Sequence, residues 1–90
     1  MRRTDAAGTP VLVVRLEGRL YAIANTCAHA GGPLDEGSLD QDVVTCPWHG
    51  SRYCVRDGGL RGGPTTFDQP PFLVREEAGQ VEVRMARPPY

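Results

Sequence analysis

The sequence predicts a single small all-β domain of antiparallel strands, and two observations lead to that prediction. The chain has 90 residues, which is enough for one hydrophobic core and too few for two. Its 11 glycines and 8 prolines are about twice the usual proportion and are spread between short apolar alternations. Such a chain turns too often for long helices, whereas tight turns between strands fit it well. We therefore assign residues 1–90 to one domain.

The first β-hairpin is predicted near the start of the chain. Residues 11–16 are rich in β-branched side chains, and the strand pattern resumes at residues 20–24 after turn residues at 17–19. Two such runs around a short turn are typical of a hairpin. Only residues 1–10 precede it, and we expect no strand among them.

The middle of the chain combines two short strands with two elaborate loops. Residues 43–45 and 51–55 predict the strands, with a bend at residues 47–50 between them. Residues 25–42 contain four glycines and a proline without helical periodicity, which predicts a structured loop. The loop and the bend each carry a histidine that follows a cysteine.

A second hairpin is predicted at the C-terminal side. It follows an irregular connector at residues 62–71, and its strands are residues 72–76 and 80–84. In the last strand Val81 and Val83 share one face and charged residues occupy the other, as in a sheet covered on one side. In total, the sequence predicts about six short strands.

Composition and charge exclude several classes of function. Ten arginines and eleven acidic residues leave a net charge of −1, and the chain lacks the basic runs of a nucleic-acid footprint. No apolar run approaches the roughly 20 residues that a membrane span needs, and we expect no secretion signal. Three cysteines are too few for a disulfide framework. Unpaired cysteines beside histidines favour a reducing compartment, so we expect a cytoplasmic protein.

The two loops contain a paired motif of potential metal ligands. Cys27-Ala28-His29 is followed, after sixteen residues, by Cys46-Pro47-Trp48-His49. Both histidines of the protein and two of its three cysteines lie in these motifs, and a glycine follows each one closely. Glycine allows backbone amides to approach a sulfur-rich centre and tolerates positive φ in a tight loop.

Four interpretations of this motif remain open from the residues alone. A cysteine–histidine nucleophile pair would need only one motif and a cleft. Structural zinc sites usually group cysteine with cysteine and histidine with histidine, whereas each motif here mixes the two. The four residues could also be core residues without a metal. A [2Fe–2S] cluster with two thiolates on one iron and two imidazoles on the other suits mixed motifs.

At residues 25–55 the sequence resembles the Rieske family, whose motifs are C-x-H and C-x-x-H with a gap of about this length. The resemblance implies a small antiparallel sandwich or barrel-like fold, with a cluster-binding part at about residues 25–56. It implies that Cys27 and Cys46 bind the inner iron as thiolates. It also implies that His29 and His49 bind the outer iron through Nδ1. Rieske potentials lie at about −150 to +300 mV.

The resemblance also implies how the potential is set. High-potential members have a disulfide between the loops, and the corresponding positions here are Gly32 and Trp48. Ser51 and Tyr53 match positions whose hydroxyls donate to a bridging sulfide and to a cysteine sulfur, and such donors stabilise the reduced cluster. We therefore expect an intermediate potential that Tyr53→Phe lowers. The alternative is that Tyr53 only packs in the core.

The function implied is electron transfer rather than catalysis. We expect a Rieske-type ferredoxin, not an enzyme by itself, that carries one electron from a reductase to an oxygenase or another oxidoreductase. The first alternative is a Rieske module of a membrane-linked or multidomain redox protein, because small members usually begin with an additional strand. The second is a zinc-stabilised interaction domain.

Three further features carry expectations of their own. Cys54 follows Tyr53, so strand alternation points it to the opposite face, where we expect a buried thiol. Trp48 is expected either to pack over the loops or to contribute to a docking surface. Four acidic residues are candidates for docking a basic partner or are simply solvated: Asp35, Glu36, Asp40 and Asp42.

Overall fold

The computed structural model describes residues 1–27, 31–48, 50–63 and 67–85, with Met85 described by its backbone alone. These residues form nine strands in two antiparallel sheets, together with one 3₁₀ turn at Leu34–Glu36. The strands are β1 (Arg2–Ala6), β2 (Thr9–Leu16), β3 (Arg19–Ala24), β4 (Ser38–Asp40), β5 (Val43–Thr45), β6 (Arg52–Cys54), β7 (Leu60–Gly62), β8 (Pro71–Glu77) and β9 (Gln80–Met85). The all-β prediction is confirmed. No helix in the described ranges is long and apolar enough to span a bilayer.

The larger sheet has the strand order β1-β2-β3-β8-β9 and approaches a closed barrel, because β1 and β9 also lie close together. Its β2–β3 and β8–β9 pairs are the two predicted hairpins. They turn at Glu17-Gly18 and at Ala78-Gly79, where all four residues have positive φ. Two-residue turns of this kind match the right-handed twist of the strands that they join.

The expectation of a missing edge strand is wrong. β1 pairs with β2 along its whole length, from Arg2 opposite Val13 to Ala6 opposite Thr9. Its side chains are mostly exposed, so it has no apolar alternation that a sequence pattern could reveal. An edge strand of this kind is held mainly by its backbone hydrogen bonds. The observation that favoured an excised module is therefore removed.

β2 separates the two apolar cores of the molecule. Val11 and Val13 pack into the core inside the larger sheet, together with β8 and β9. Leu12 and Val14 face the other core, which also contains Cys27 and Cys46. A strand buried on both faces explains the continuous apolar run in this part of the sequence. The smaller sheet, in the order β4-β5-β6-β7, covers the second core and carries the second cysteine motif.

Candidate metal centre

Two backbone hydrogen bonds join the described residues on either side of the first cysteine motif and close a turn that begins at Cys27. The Cys27 N–H donates to the carbonyl of Gly32 at 2.8 Å, and the Gly31 N–H donates to the carbonyl of Cys27 at 2.9 Å. Gly31 has a φ of 74°, a left-handed conformation that glycine adopts without steric cost. The glycine after the motif is therefore required by the turn.

The described residues around the second cysteine motif make the same pair of backbone hydrogen bonds and also close a turn. The Cys46 N–H donates to the carbonyl of Ser51 at 2.8 Å, the Gly50 N–H donates to the carbonyl of Cys46 at 3.1 Å, and Gly50 has a φ of 77°. Each turn thus begins at a cysteine and has a left-handed glycine four residues later. His29 and His49 lie outside the described residues, and their role as ligands stays a prediction.

The two turns converge, and Gly32 is where they meet. A Cβ atom at Gly32 would lie 2.8 Å from the sulfur of Cys46 and 2.9 Å from Cγ of Trp48. Only a residue without a side chain lets the first turn approach the second this closely. Positions 32 and 48 therefore face each other, as the resemblance to disulfide-containing relatives implies, but glycine and tryptophan cannot form that bond.

Both cysteine sulfurs belong to the apolar core below the turns. The exposed fractions of Cys27 and Cys46 are 2% and 1%. None of the three cysteines, all of which are described, forms a disulfide. The two turns thus bring two cysteine side chains into the same buried core, in a site shielded from water, where thiolates serve as ligands to iron.

The side chain of Tyr53 extends from β6 into the buried site that contains the cysteine sulfurs. Its hydroxyl oxygen lies 3.2 Å from the sulfur of Cys27, and its side chain is fully buried. When Cys27 is a thiolate, the hydroxyl is the donor and the sulfur the acceptor, which favours the more negative state of the sulfur. The contact between the Tyr53 hydroxyl and a cysteine sulfur is present in the structure, and its effect on the potential stays a prediction.

Ser51 provides a test of whether the site fits a cluster. Its hydroxyl oxygen is buried and makes no hydrogen bond within the described chain. Buried hydroxyls in proteins are normally bonded, so this one is available to an acceptor outside the described residues. A bridging sulfide is such an acceptor. The buried sulfurs, the Tyr53 hydroxyl and this unused donor together fit a [2Fe–2S] cluster.

The entry to the first turn is fixed by an exchange of hydrogen bonds between Asn25 and Asp35. The Asn25 amide donates to the Asp35 carboxylate at 2.8 Å, and the Asp35 N–H donates to the Asn25 side-chain oxygen at 2.9 Å. The Leu34 N–H also donates to the Asn25 carbonyl at 2.8 Å. Asp35 is therefore a structural residue and not part of a solvated acidic patch.

Arg56 joins the turn after β6 to the larger sheet. Its guanidinium donates to Asp42 at 3.2 Å and to the hydroxyl of Tyr21 at 2.8 Å, and it forms an ion pair with Glu17 at 3.5 Å. The hydrogen bond that Arg56 donates to the Asp42 carboxylate raises the pKa of Arg56 above its usual value, so the guanidinium stays charged. The buried thiol of Cys54 lies 3.8 Å from the same Asp42 carboxylate, which thus has internal partners.

Trp48 packs over the turns, as one of the two expectations had it, and its contribution to a docking surface stays a prediction. Its ring lies against Gly32, and 57% of its surface is exposed. It therefore covers the junction of the two turns and also presents an aromatic face to solvent beside the second motif.

Several residues that hold the turns in place were not predicted from the sequence. Side chains at Gly37 and Gly63 would collide with the backbone of Thr45 and of Ser51, respectively. The connector between β7 and β8 also contributes Gln69, whose side chain bonds to the segment before Cys27. A glycine pair in the connector was the single local signal that a close approach occurs there.

Comparisons with known proteins agree with this site. The biphenyl 2,3-dioxygenase ferredoxin component of Rhodococcus jostii (strain RHA1) is 36% identical over 83 residues, which cover 92% of this chain and 78% of the relative. The structure of the ferredoxin of carbazole 1,9a-dioxygenase from Nocardioides aromaticivorans IC177 superposes with a TM-score of 0.86 at 30% identity, covering 93% and 83% of the two chains.

A second solved structure is a complex of reduced oxygenase and oxidized ferredoxin in carbazole 1,9a-dioxygenase. It matches with a TM-score of 0.83 at 37% identity, covering 91% of this chain and 77% of that one. The sequence model of the Rieske [2Fe-2S] domain matches residues 1–73. This match supports the iron–sulfur interpretation of the cysteine turns over the zinc-stabilised interaction domain. The chain belongs to the Rieske [2Fe–2S] domain family.

Proposed function

We propose that this protein is a ferredoxin component of a dioxygenase-type system, a one-electron carrier that passes electrons from a reductase to an oxygenase. The observation that carries the proposal is that two cysteine turns, closed by the same pair of backbone hydrogen bonds, meet at one buried site. The buried Ser51 hydroxyl, which has no hydrogen-bond partner among the described residues, belongs to the second of these turns. Relatives that are ferredoxin components of dioxygenases support it. The protein is an electron-transfer component and not an enzyme by itself.

Cys27 and Cys46 are the thiolate ligands in this proposal, and His29 and His49 are the imidazole ligands. When bound, a cluster of this type accepts and releases a single electron. The chain itself shields the thiolates from water and places the Tyr53 hydroxyl on the sulfur of Cys27. Ser51 supplies a second hydroxyl donor. Because donors stabilise the reduced, more negative state, they raise the potential, and without the disulfide we propose an intermediate value.

Docking to an oxygenase is proposed through the end of the molecule that carries the two turns. Trp48 exposes an aromatic face there, and exposed aromatic side chains are common anchors at protein interfaces. The matching structure of an oxygenase–ferredoxin complex supports this class of partner. We also propose a cytoplasmic location, because none of the three cysteines forms a disulfide, as is usual in reducing compartments.

Metal analysis combined with cysteine variants tests the proposal. We expect two irons and two acid-labile sulfides per chain, with the EPR signal of a reduced Rieske cluster and a midpoint potential measurable by electrochemical titration. Cys27→Ser and Cys46→Ser should lose the cluster. Cys54→Ser is the matched control and should retain it, because Cys54 lies beside Asp42 rather than at the junction of the turns.

Reduction of a ferredoxin-dependent dioxygenase by the holoprotein tests the partner class. Electrons should reach the oxygenase only in the presence of this protein and a reductase, and the carrier alone should not hydroxylate an aromatic substrate. A colourless protein with one zinc per chain would contradict the proposal.

A further inference from the structure

Gln69 is a buried polar residue in the connector between β7 and β8. It is 1% exposed and is among the largest fully buried side chains of the described structure. Glutamine is usually found at protein surfaces, and burying its amide is costly unless the amide is hydrogen-bonded. The hydrogen-bond partners of the Gln69 amide therefore indicate why this residue is buried.

The Gln69 side chain holds the segment that leads into the first cysteine turn. Its Nε2 donates to the carbonyl of Ala24 at 2.8 Å and to the carbonyl of Thr26 at 2.7 Å. A primary amide has two hydrogens to donate, and both are used here. Thr26 directly precedes Cys27, so the bond restrains the backbone one residue from a proposed ligand.

The Gln69 backbone is fixed on the opposite side, to the turn that follows β6. Its N–H donates to the carbonyl of Gly58 at 2.8 Å. Gly58 has a φ of 80°, and a Cβ at this position would collide with the Gln69 carbonyl oxygen. The Gly58 N–H in turn donates to the carbonyl of Cys54 at 2.7 Å, the residue immediately after Tyr53.

These contacts close a ring around the site. From Cys27 the path runs through the Tyr53 hydroxyl to β6, through the turn after β6 to Gln69, and through the Gln69 amide back to Thr26. Two segments far apart in sequence, the entry to the first turn and the strand that carries Tyr53, are thus held at a fixed separation.

We propose that Gln69 is a positioning residue that sets the contact between the Cys27 sulfur and the Tyr53 hydroxyl, and thereby the redox potential. The inference rests on the proposed function, since it assumes a cluster bound at Cys27. None of the hydrogen bonds described for Gln69 is to the sulfur. It acts through the Thr26 carbonyl on one side and the Gly58 carbonyl on the other.

A double-mutant cycle on the midpoint potential of the holoprotein tests this. Gln69→Met keeps the length of the side chain but removes both donors, so the Cys27–Tyr53 contact should loosen and the potential should fall. In a Tyr53→Phe background, where the hydroxyl is already gone, Gln69→Met should cause no further fall. Gln80→Met, the same substitution at an exposed glutamine in β9, should leave the potential unchanged.

An unchanged potential in Gln69→Met, or an equal fall in both backgrounds, would overturn the proposal. If Gln69→Met does not fold, the proposal is tested on the oxidised wild-type protein by the hydrogen exchange of its glutamine side-chain amides. The Gln69 amide protons should exchange at least tenfold more slowly than those of Gln80, and equal rates would also overturn it. Failure of the proposed function itself appears separately, as a wild-type protein without a Rieske EPR signal.

Discussion

The hydroxyl of Tyr53 lies 3.2 Å from the sulfur of Cys27, and both side chains are buried. In a site without water, a hydrogen bond to a charged sulfur is stronger than it is at a surface. The contact joins the middle of β6 to the first cysteine turn, and so it couples the smaller sheet to the chemistry of the first motif.

Tyr53→Phe should lower the midpoint potential. Loss of a donor that favours the reduced state by about 1 kcal/mol corresponds to roughly 40 mV for one electron. Electrochemical titration of the holoprotein measures the shift. Tyr21→Phe is the control, because it removes a hydroxyl that bonds to Arg56 and not to a cysteine. Equal potentials for wild type and Tyr53→Phe would show that Tyr53 only packs.

Ser51→Ala should also lower the potential, while costing little stability. The hydroxyl has no partner in the described chain, so its removal breaks no protein hydrogen bond and the melting temperature should fall by no more than a few degrees. Ser38→Ala, at an exposed position of β4, should change neither quantity. A large loss of stability without a change in potential would argue that Ser51 has a structural role alone.

Gly32→Ala should prevent full loading of the cluster. Its Cβ would lie within 3 Å of the Cys46 sulfur and the Trp48 ring, and the two turns would have to separate to relieve the overlap. Iron content and the visible spectrum after purification measure loading. Gly59→Ala is the matched control, because the nearest atoms there belong to the side chains of Asp57 and Arg61, which can move. Normal loading of Gly32→Ala would mean that the turns tolerate separation.

Arg56→Met should lower the melting temperature, because it disconnects the turn after β6 from β3. The pKa of Arg56 is raised above its usual value by its bond to Asp42. A raised pKa leaves the guanidinium charged at every pH below that value. The decrease in melting temperature caused by Arg56→Met should therefore be the same at pH 6 and pH 9. Both partners are partly exposed, so added salt should reduce the difference.

Arg75→Met is the comparison for that experiment. Arg75 also pairs with two carboxylates, of Glu77 and Glu82, but both belong to its own hairpin. Its loss should affect the melting temperature less than the loss of Arg56. The opposite order would show that Arg56 does not join separate parts of the fold.

The parts of the fold that were predictable from sequence are those with a repeated local pattern. β2, β3, β8 and β9 have six to eight residues each, with apolar runs and turn residues between them. β4 and β7 have three residues each, too few for an alternation to stand out, and β1 is polar because it lies at the edge. These three strands form because a neighbouring strand supplies hydrogen-bond partners for their backbone. The sequence of the strand itself does not contain that information.

The same distinction applies to the site. Cys27 and Cys46 could be identified because two rare residue types recur at short spacing, and Ser51 and Tyr53 were implied by the resemblance to the Rieske family. Gln69 could not be identified, since its partners Ala24 and Thr26 lie 45 and 43 residues away in sequence. Contacts over such separations depend on how the two sheets pack. In the sequence, Gln69 is indistinguishable from any other polar residue in a loop.

The direction of β8 has a practical consequence. The strand starts beside Ala24, where the chain enters the first cysteine turn, and it runs seven residues to the Ala78-Gly79 turn, roughly 20 Å away at the usual rise of a strand. A tag or surface tether inserted at that hairpin tip would immobilise the molecule on an electrode with its sulfur-bearing end pointing outward. That end would then be accessible to any molecule that exchanges electrons with it.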